Sequence, residues 1–284
     1  MKNNKILSLI IILLIYIIAG VAGYFIYINI PLDFWLKLLI ADVSATVIVF
    51  IFSLILNNAS CYDPYWSVAP MFIVIMLLFN KELNPVRILA SIAVLGWGLR
   101  LTINWIYTFD NLSWQDWRYK MLKENHKHLY PIINFLGIHL FPTIVVYFCI
   151  LPIMFVYHYD GSLNPFVIIF FITALLSFTM QGIADLQMHK YRKNKNGTFN
   201  RNGLWKYSRH PNYLGEICMW YSVAFFSIAA LNNYYFLIIG AIINMCLFLF
   251  ISIPLADNHQ RRKEGFDEYK SETRMLLPIY KRKK

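Results

Sequence analysis

Charge is what this 284-residue chain has least of. Only 14% of its residues are Asp, Glu, Lys or Arg, where a soluble domain carries about 25%. With 58% hydrophobic residues and a mean hydropathy of +0.51, the deficit excludes an ordinary soluble domain and points to lipid as the solvent. Cysteine is scarce too: Cys61, Cys149, Cys218 and Cys246 form no Cys-x-x-Cys pair, and the last three fall in apolar runs. They read as buried free thiols rather than disulfides or metal ligands. The seven histidines make no His-Glu-x-x-His pattern, so no metal is expected. A dinucleotide-binding glycine fingerprint is missing. Gly96-Trp97-Gly98 has Leu101 where the third glycine belongs and lies inside an apolar run. Those glycines read as permitting close helix packing. No linker, low-complexity tract or internal repeat divides the chain, so 1–284 is expected to be one membrane-embedded domain.

What is present is a series of apolar runs. A membrane span needs about 20 mostly apolar residues, and residues 6–28, 34–56, 66–80, 88–109, 131–156, 165–189, 213–230 and 234–256 meet that need. The predicted fold is an all-α polytopic transmembrane helix bundle of about eight spans, within roughly seven to ten. The 6–28 run is longer than a signal-peptide core and is followed by no small-residue cleavage site, so it reads as the first span. Of the 26 basic residues, 22 lie on one side of this map: two in 1–5, four in 110–130, seven in 190–212 and nine in 257–284. The opposite side holds two, and Lys37 and Arg100 fall within spans. By the positive-inside rule both termini are expected to be cytoplasmic. That asymmetry accounts for the net charge of +11 without nucleic acid as a partner. The expected location is the inner membrane of a bacterium, or the endoplasmic reticulum of a eukaryote, with membrane lipids as surroundings.

Polar clusters gather on the basic side. Gly203 to Glu216 runs from a basic loop into a span, with Pro211 suited to the first helical turn. Asn212, Glu216 and Trp220 then share one helix face, beside Arg209 and His210. A helix start with free N–H groups and nearby cations suits an anion; a plain positive-inside helix start with interfacial aromatics is the alternative. Gln181, Asp185, His189 and Arg192 form one stripe of another helix. An acid at membrane depth marks a site by default, though an Asp185 ion pair that merely orders the helix fits as well. Around Asp257, His259, Arg261 and Arg262, arginine forks suit phosphate; an Asp257–Arg261 helix pair and a basic tail on an anionic leaflet are the plainer readings. The segment Ser60 to Pro70 is polar and aromatic without a basic residue. There Tyr62 and Asp63 can act as a proton donor and its carboxylate partner, or sit in a proline turn. Asp116, Arg118 and Tyr119 form either a lid or an interfacial helix.

These motifs resemble the steroid 5-alpha-reductase family, in particular its bacterial-type members. The resemblance is strongest over 181–280, in Gly203-Leu204-Trp205 through Tyr213-Leu214-Gly215-Glu216, in Gly265-Phe266-Asp267-Glu268-Tyr269 and in Leu277-Pro278-Ile279-Tyr280. It implies NADPH as cofactor, bound from the cytoplasmic side, and reduction of a carbon–carbon double bond conjugated to a carbonyl in a hydrophobic substrate drawn from the bilayer. The residues it assigns to the cofactor are Gln181, Asp185, Arg192, Tyr207, Arg209, His210, Asn212, Tyr213, Glu216, Asp257, His259, Arg261 and Arg262. Asp63 resembles the family's catalytic glutamate. Trp97 stands where the family has a tyrosine, so the resemblance leaves Tyr62 or Tyr107 to donate the proton.

Two other functions fit some of the same residues. Arg209-His210-Pro211-Asn212-Tyr213 also resembles the element of isoprenylcysteine and phospholipid methyltransferases, which bind S-adenosylmethionine. Those enzymes carry a Glu-Glu pair where this chain has Asp257-Asn258. A non-catalytic assembly or transport protein with a proton path through Asp185 and Glu216 is the third reading.

Overall fold

The computed structural model describes residues 2–194 and 198–279. Tyr280, which closes the Leu277–Tyr280 motif, and the basic tail after it lie outside the described residues. The chain is 79% helical and has no strand among the described residues. The α-helices among the described residues are α1 Lys5–Asn29, α2 Phe34–Leu56, α3 Tyr65–Asn80, α4 Pro85–Thr108, α5 Trp117–Asn125, α6 Tyr130–Ile133, α7 Phe141–His158, α8 Pro165–Asn194, α9 Pro211–Leu231, α10 Ile239–Leu247, α11 Ile253–Gln260 and α12 Phe266–Glu272. Wide-turn π segments, Asn134–Leu140 and Phe248–Ser252, join α6 to α7 and α10 to α11.

Among the described residues, eight stretches are long and apolar enough to cross a membrane: 5–29, 34–56, 59–80, 85–108, 130–158, 165–194, 211–231 and 235–260. This is the all-α polytopic architecture expected from the sequence. The third stretch is longer than predicted, because a 3-10 turn over Ala59–Tyr62 precedes α3. Helix α8 continues to Asn194, five residues past the apolar run. Many large apolar side chains face outward, Phe25, Phe79, Leu176 and Leu186 among them. Helices bathed in lipid have no reason to hide such groups.

Two compact units emerge. The first comprises 1–80 and 97–147. Here Asn57 ends α2 in the left-handed conformation, and Asn58 ties the following turn down. Its amide donates to the carbonyls of Leu112 (2.8 Å) and Trp114 (2.7 Å), and its Oδ1 accepts from the Ser60 N–H. Tyr16 on α1 donates to the Cys61 carbonyl at 2.7 Å. The second unit comprises 81–96 and 148–284. Arg87 is only 6% exposed and donates to Asp160 Oδ1 at 2.8 Å and to the carbonyls of Glu82 and Tyr157. One of the two cations on the sparsely charged side of the map is therefore a buried guanidinium, paired with an exposed aspartate.

Close helix approaches depend on glycine. A Cβ on Gly215 would lie 2.8 Å from the Ser177 carbonyl oxygen, so α9 meets α8 there nearly backbone to backbone. A Cβ on Gly96 would reach Phe178, and one on Gly98 would reach Met71, the packing role expected of those two residues. The tightest position is Gly240, whose Cβ would fall 2.1 Å from the Phe148 carbonyl oxygen, whereas Gly137 has nothing within 4 Å. Overpacking costs about 1–3 kcal/mol, and a backbone atom cannot swing aside. Gly240→Ala is expected to lower the melting temperature of the detergent-purified protein by several degrees, and Gly137→Ala is expected not to. Equal melting of the two variants would contradict this packing.

Candidate functional site

In the second unit, the segment between α8 and α9 is built around one carboxylate. Asp257, near the end of α11, accepts from Arg209 Nη2 at 3.0 Å and pairs with His210 Nε2 at 2.9 Å. Arg209 Nη1 donates to the Thr273 carbonyl at 2.8 Å, and its backbone N–H donates to the Arg274 carbonyl. Ser208 completes the strap with its hydroxyl on the Met275 carbonyl. The side chains of Arg209 and His210 are 7% and 9% exposed, that of Asp257 13%. The His210 ring stacks on Tyr213 at 5.2 Å, and Tyr213 leans on Phe248. Pro211 opens α9 as expected, and Leu214 N–H closes its first turn on the His210 carbonyl.

This geometry corrects two expectations. Asp257 pairs with Arg209 and His210 from a different segment, not with Arg261 one turn along its own helix. The fork of Arg209 is spent on Asp257 and Thr273, so it holds the strap instead of offering itself to a phosphate. Among the cations exposed at this end of the unit are Arg192, at the end of α8, and Arg261 and Arg262, just past α11. None of the three has an ion-pair partner among the described residues.

The stripe on α8 grades outward. Gln181 is fully buried, Asp185 and His189 are half-buried, and Arg192 is exposed. Glu216 on α9 is 4% exposed and accepts from Trp220 Nε1 at 2.8 Å, the partner its i+4 spacing provides. Asn212, Tyr213 and His259 are half-buried, and Tyr207 is exposed. A second strap packs against α8. Gly203, at φ +59°, sits on Gln187, whose Oε1 accepts from Leu204 N–H, and Trp205 Nε1 donates to the Ala184 carbonyl. Tyr269 on α12 stacks on Phe199 and donates to the Trp205 carbonyl. Burial pushes the Tyr269 hydroxyl up to about 12.

In the first unit the Tyr62–Asp63 pairing expected from sequence is not made. Tyr62, 2% exposed, shares a 2.8 Å hydrogen bond with Thr143 Oγ1, which bonds in turn to Thr46 and to the His139 carbonyl. Neighbours on a 3-10 turn point apart, and Asp63 faces the other way. Asp63 Oδ1 accepts a 2.6 Å bond from the hydroxyl of Tyr119 on α5. Arg118 forks onto Asp116 at 2.8 and 3.1 Å and lies over the Tyr119 ring, and Asp116 N–H donates to Ser60 Oγ. The tyrosine–carboxylate pair therefore exists, with Tyr119 as its phenol. Burial, reinforced by the Asp63 charge, holds the Tyr119 hydroxyl well above its usual range, so it stays protonated near neutral pH. Sequence singled out the Asp116–Tyr119 segment but gave no signal for this contact, which closes over 56 residues. Tyr107 is 53% exposed on α4, and Trp97 is wholly buried against Trp66.

The family described as "Protein of unknown function (DUF1295)" matches residues 49–273. The chain belongs to that family. A Schizosaccharomyces pombe protein, "Uncharacterized protein C594.04c", is 25% identical over 204 residues, covering 61% of this chain and 59% of that protein. The chain thus spans under two-thirds of the length of this relative. No solved structure matches. Matched residues 49–273 take in the Asp63–Tyr119 pair and Asp257 with its partners Arg209 and His210.

Removing one partner of a buried ion pair costs about 3–5 kcal/mol, because a charge is left alone. Arg209→Ala is therefore expected to lower the melting temperature sharply, and an Arg209→Ala/Asp257→Asn double variant to recover part of the loss. A double variant as damaged as the sum of its single changes would show that the two side chains are not coupled.

Proposed function

We propose that this protein is a membrane oxidoreductase that uses NADPH to reduce a carbon–carbon double bond conjugated to a carbonyl in a lipid-like substrate such as a sterol, polyprenoid or fatty enone. The observation that carries this reading is the Asp63–Tyr119 pair, a buried phenol kept protonated against a carboxylate, in a chain of a family associated with steroid 5-alpha-reductase-like proteins. Reducing an enone needs a group that gives up a proton to carbon or oxygen as the double bond is saturated, and a hydrogen-bonded phenol in a partly dry site is such a group.

The second unit fits a pyrophosphate-bearing cofactor by charge. Arg192, Arg261 and Arg262 leave exposed forks at the same end of the unit as the start of α9, and a phosphate suits both. Arg209, His210 and Asp257 would shape the rim they already brace. Asp185, Asn212, Tyr213, Glu216 and His259 would orient the sugar and ring portions, with Gln181 and Tyr207 at the margins. NADPH, when bound, supplies the hydride. Tyr119 would turn its hydroxyl from Asp63 to give its proton to the substrate, and Asp63 would pass a proton from solvent to the phenolate left behind.

Titration of NADPH into the detergent-purified protein tests the cofactor assignment. Each arginine–phosphate contact is worth about 1.5–3 kcal/mol, so Arg261→Ala and Arg262→Ala are each expected to weaken binding by about tenfold or more. Tyr119→Phe is expected to leave NADPH affinity unchanged and to cut turnover by about 100-fold or more. A wild-type protein that binds S-adenosylmethionine and ignores NADPH would overturn this reading in favour of a lipid methyltransferase.

A further inference from the structure

The first unit holds a cleft that neither the proposed reaction nor the strap accounts for. It opens between α1, α2 and α3, with a cavity volume of about 90 Å³. Its walls are apolar, except that Asp42 of α2 lines them, 9% exposed. Tyr65 of α3 donates to Asp42 Oδ1 at 2.9 Å. Asp42 Oδ2 takes no hydrogen bond among the described residues. No basic side chain lines the cleft.

An acid in lipid-like surroundings with half its carboxylate unspent is costly. The strongest compensation is a cation. The rest of the lining matches one, since the rings of Tyr16, Tyr24, Tyr65 and Phe72 surround the space, and aromatic faces attract ammonium groups. A neighbour already behaves this way, for Lys37 Nζ lies 5.9 Å from the ring centre of Tyr27, which also lines the cleft. An anionic head would meet an acid, and a neutral alcohol would gain one hydrogen bond but no charge pairing. Gly20 lines the cleft without a side chain, and the Phe72 ring faces it at a distance where a Cβ would make ordinary van der Waals contact, 3.8 Å. Tyr24 and Phe72 are both 45% exposed, so the mouth opens at the lipid-facing side of these helices.

We propose that this cleft binds a single-chain amphiphile with an ammonium head, its cation against Asp42 and the tyrosine rings and its chain along Gly20 and Phe72. The proposal uses neither Asp63 nor Tyr119 and does not depend on the reductase reading, although Tyr16, which lines the cleft, bonds to the Cys61 carbonyl beside Asp63.

Equilibrium dialysis of the full chain in maltoside detergent, with dodecylamine as probe at neutral pH, tests it. Saturable binding is expected, with 1-dodecanol and dodecanoate each weaker by about tenfold or more. Asp42→Asn, nearly identical in shape, is expected to erase the preference for the amine. Gly20→Leu, whose side chain would meet the Phe72 ring, fills the space without touching the acid and is expected to abolish binding of both amine and alcohol in protein that still folds. Dodecanol bound as tightly as dodecylamine, saturable binding surviving in Gly20→Leu, or no saturable binding by the wild type would each overturn the proposal. Should Asp42→Asn fail to fold, the Gly20→Leu and wild-type comparisons still decide it.

Discussion

Asp257 is the point on which the second unit turns. One carboxylate receives a guanidinium and an imidazole from consecutive residues, Arg209 and His210, and through Arg209 it also fixes the backbone near Thr273. In an apolar bundle such a charge persists only when paired and fully hydrogen-bonded. The pairing joins the start of α9, the end of α11 and the segment after α12 into one rim. That rim leaves Arg192, Arg261 and Arg262 outward, which is the arrangement the proposed cofactor assignment uses.

The fold was legible because lipid simplifies the rules. With no water to satisfy the backbone, spans must be helices, and their length is set by bilayer thickness. The eight apolar runs therefore read directly as the eight membrane-crossing stretches. Boundaries slipped where polar residues continue a helix, as from Lys190 to Asn194, or where a 3-10 turn adds length, as at Ala59–Tyr62. Glycine packing at Gly96 and Gly98 was readable for the same reason: close helix contacts in lipid favour small residues.

The site was legible only where partners are neighbours in sequence. The i+4 spacing gave Glu216 its Trp220 donor. It misled for Asp257, where i+4 favoured Arg261 while the real partners sit 47 and 48 residues earlier. Adjacency misled at Tyr62 and Asp63, because successive residues of a 3-10 turn face different ways and Tyr119 supplies the phenol instead. Asp42 gave no signal beyond being a lone acid in an apolar run. Its tyrosine partner and the open space beside it are properties of three packed helices, which periodicity cannot show.

Membership of DUF1295 supplies the family, and the Tyr119–Asp63 pair supplies the chemistry that the proposed function rests on. The most direct measurement is transfer of label from NADPH carrying deuterium at the reactive C4 position, using protein-containing membranes and their extracted lipids, read by mass spectrometry. The account predicts one deuterium carbon-bound in a saturated lipid product, lost in Tyr119→Phe membranes. Lipids that gain no deuterium but acquire a methyl group from labelled S-adenosylmethionine would contradict it.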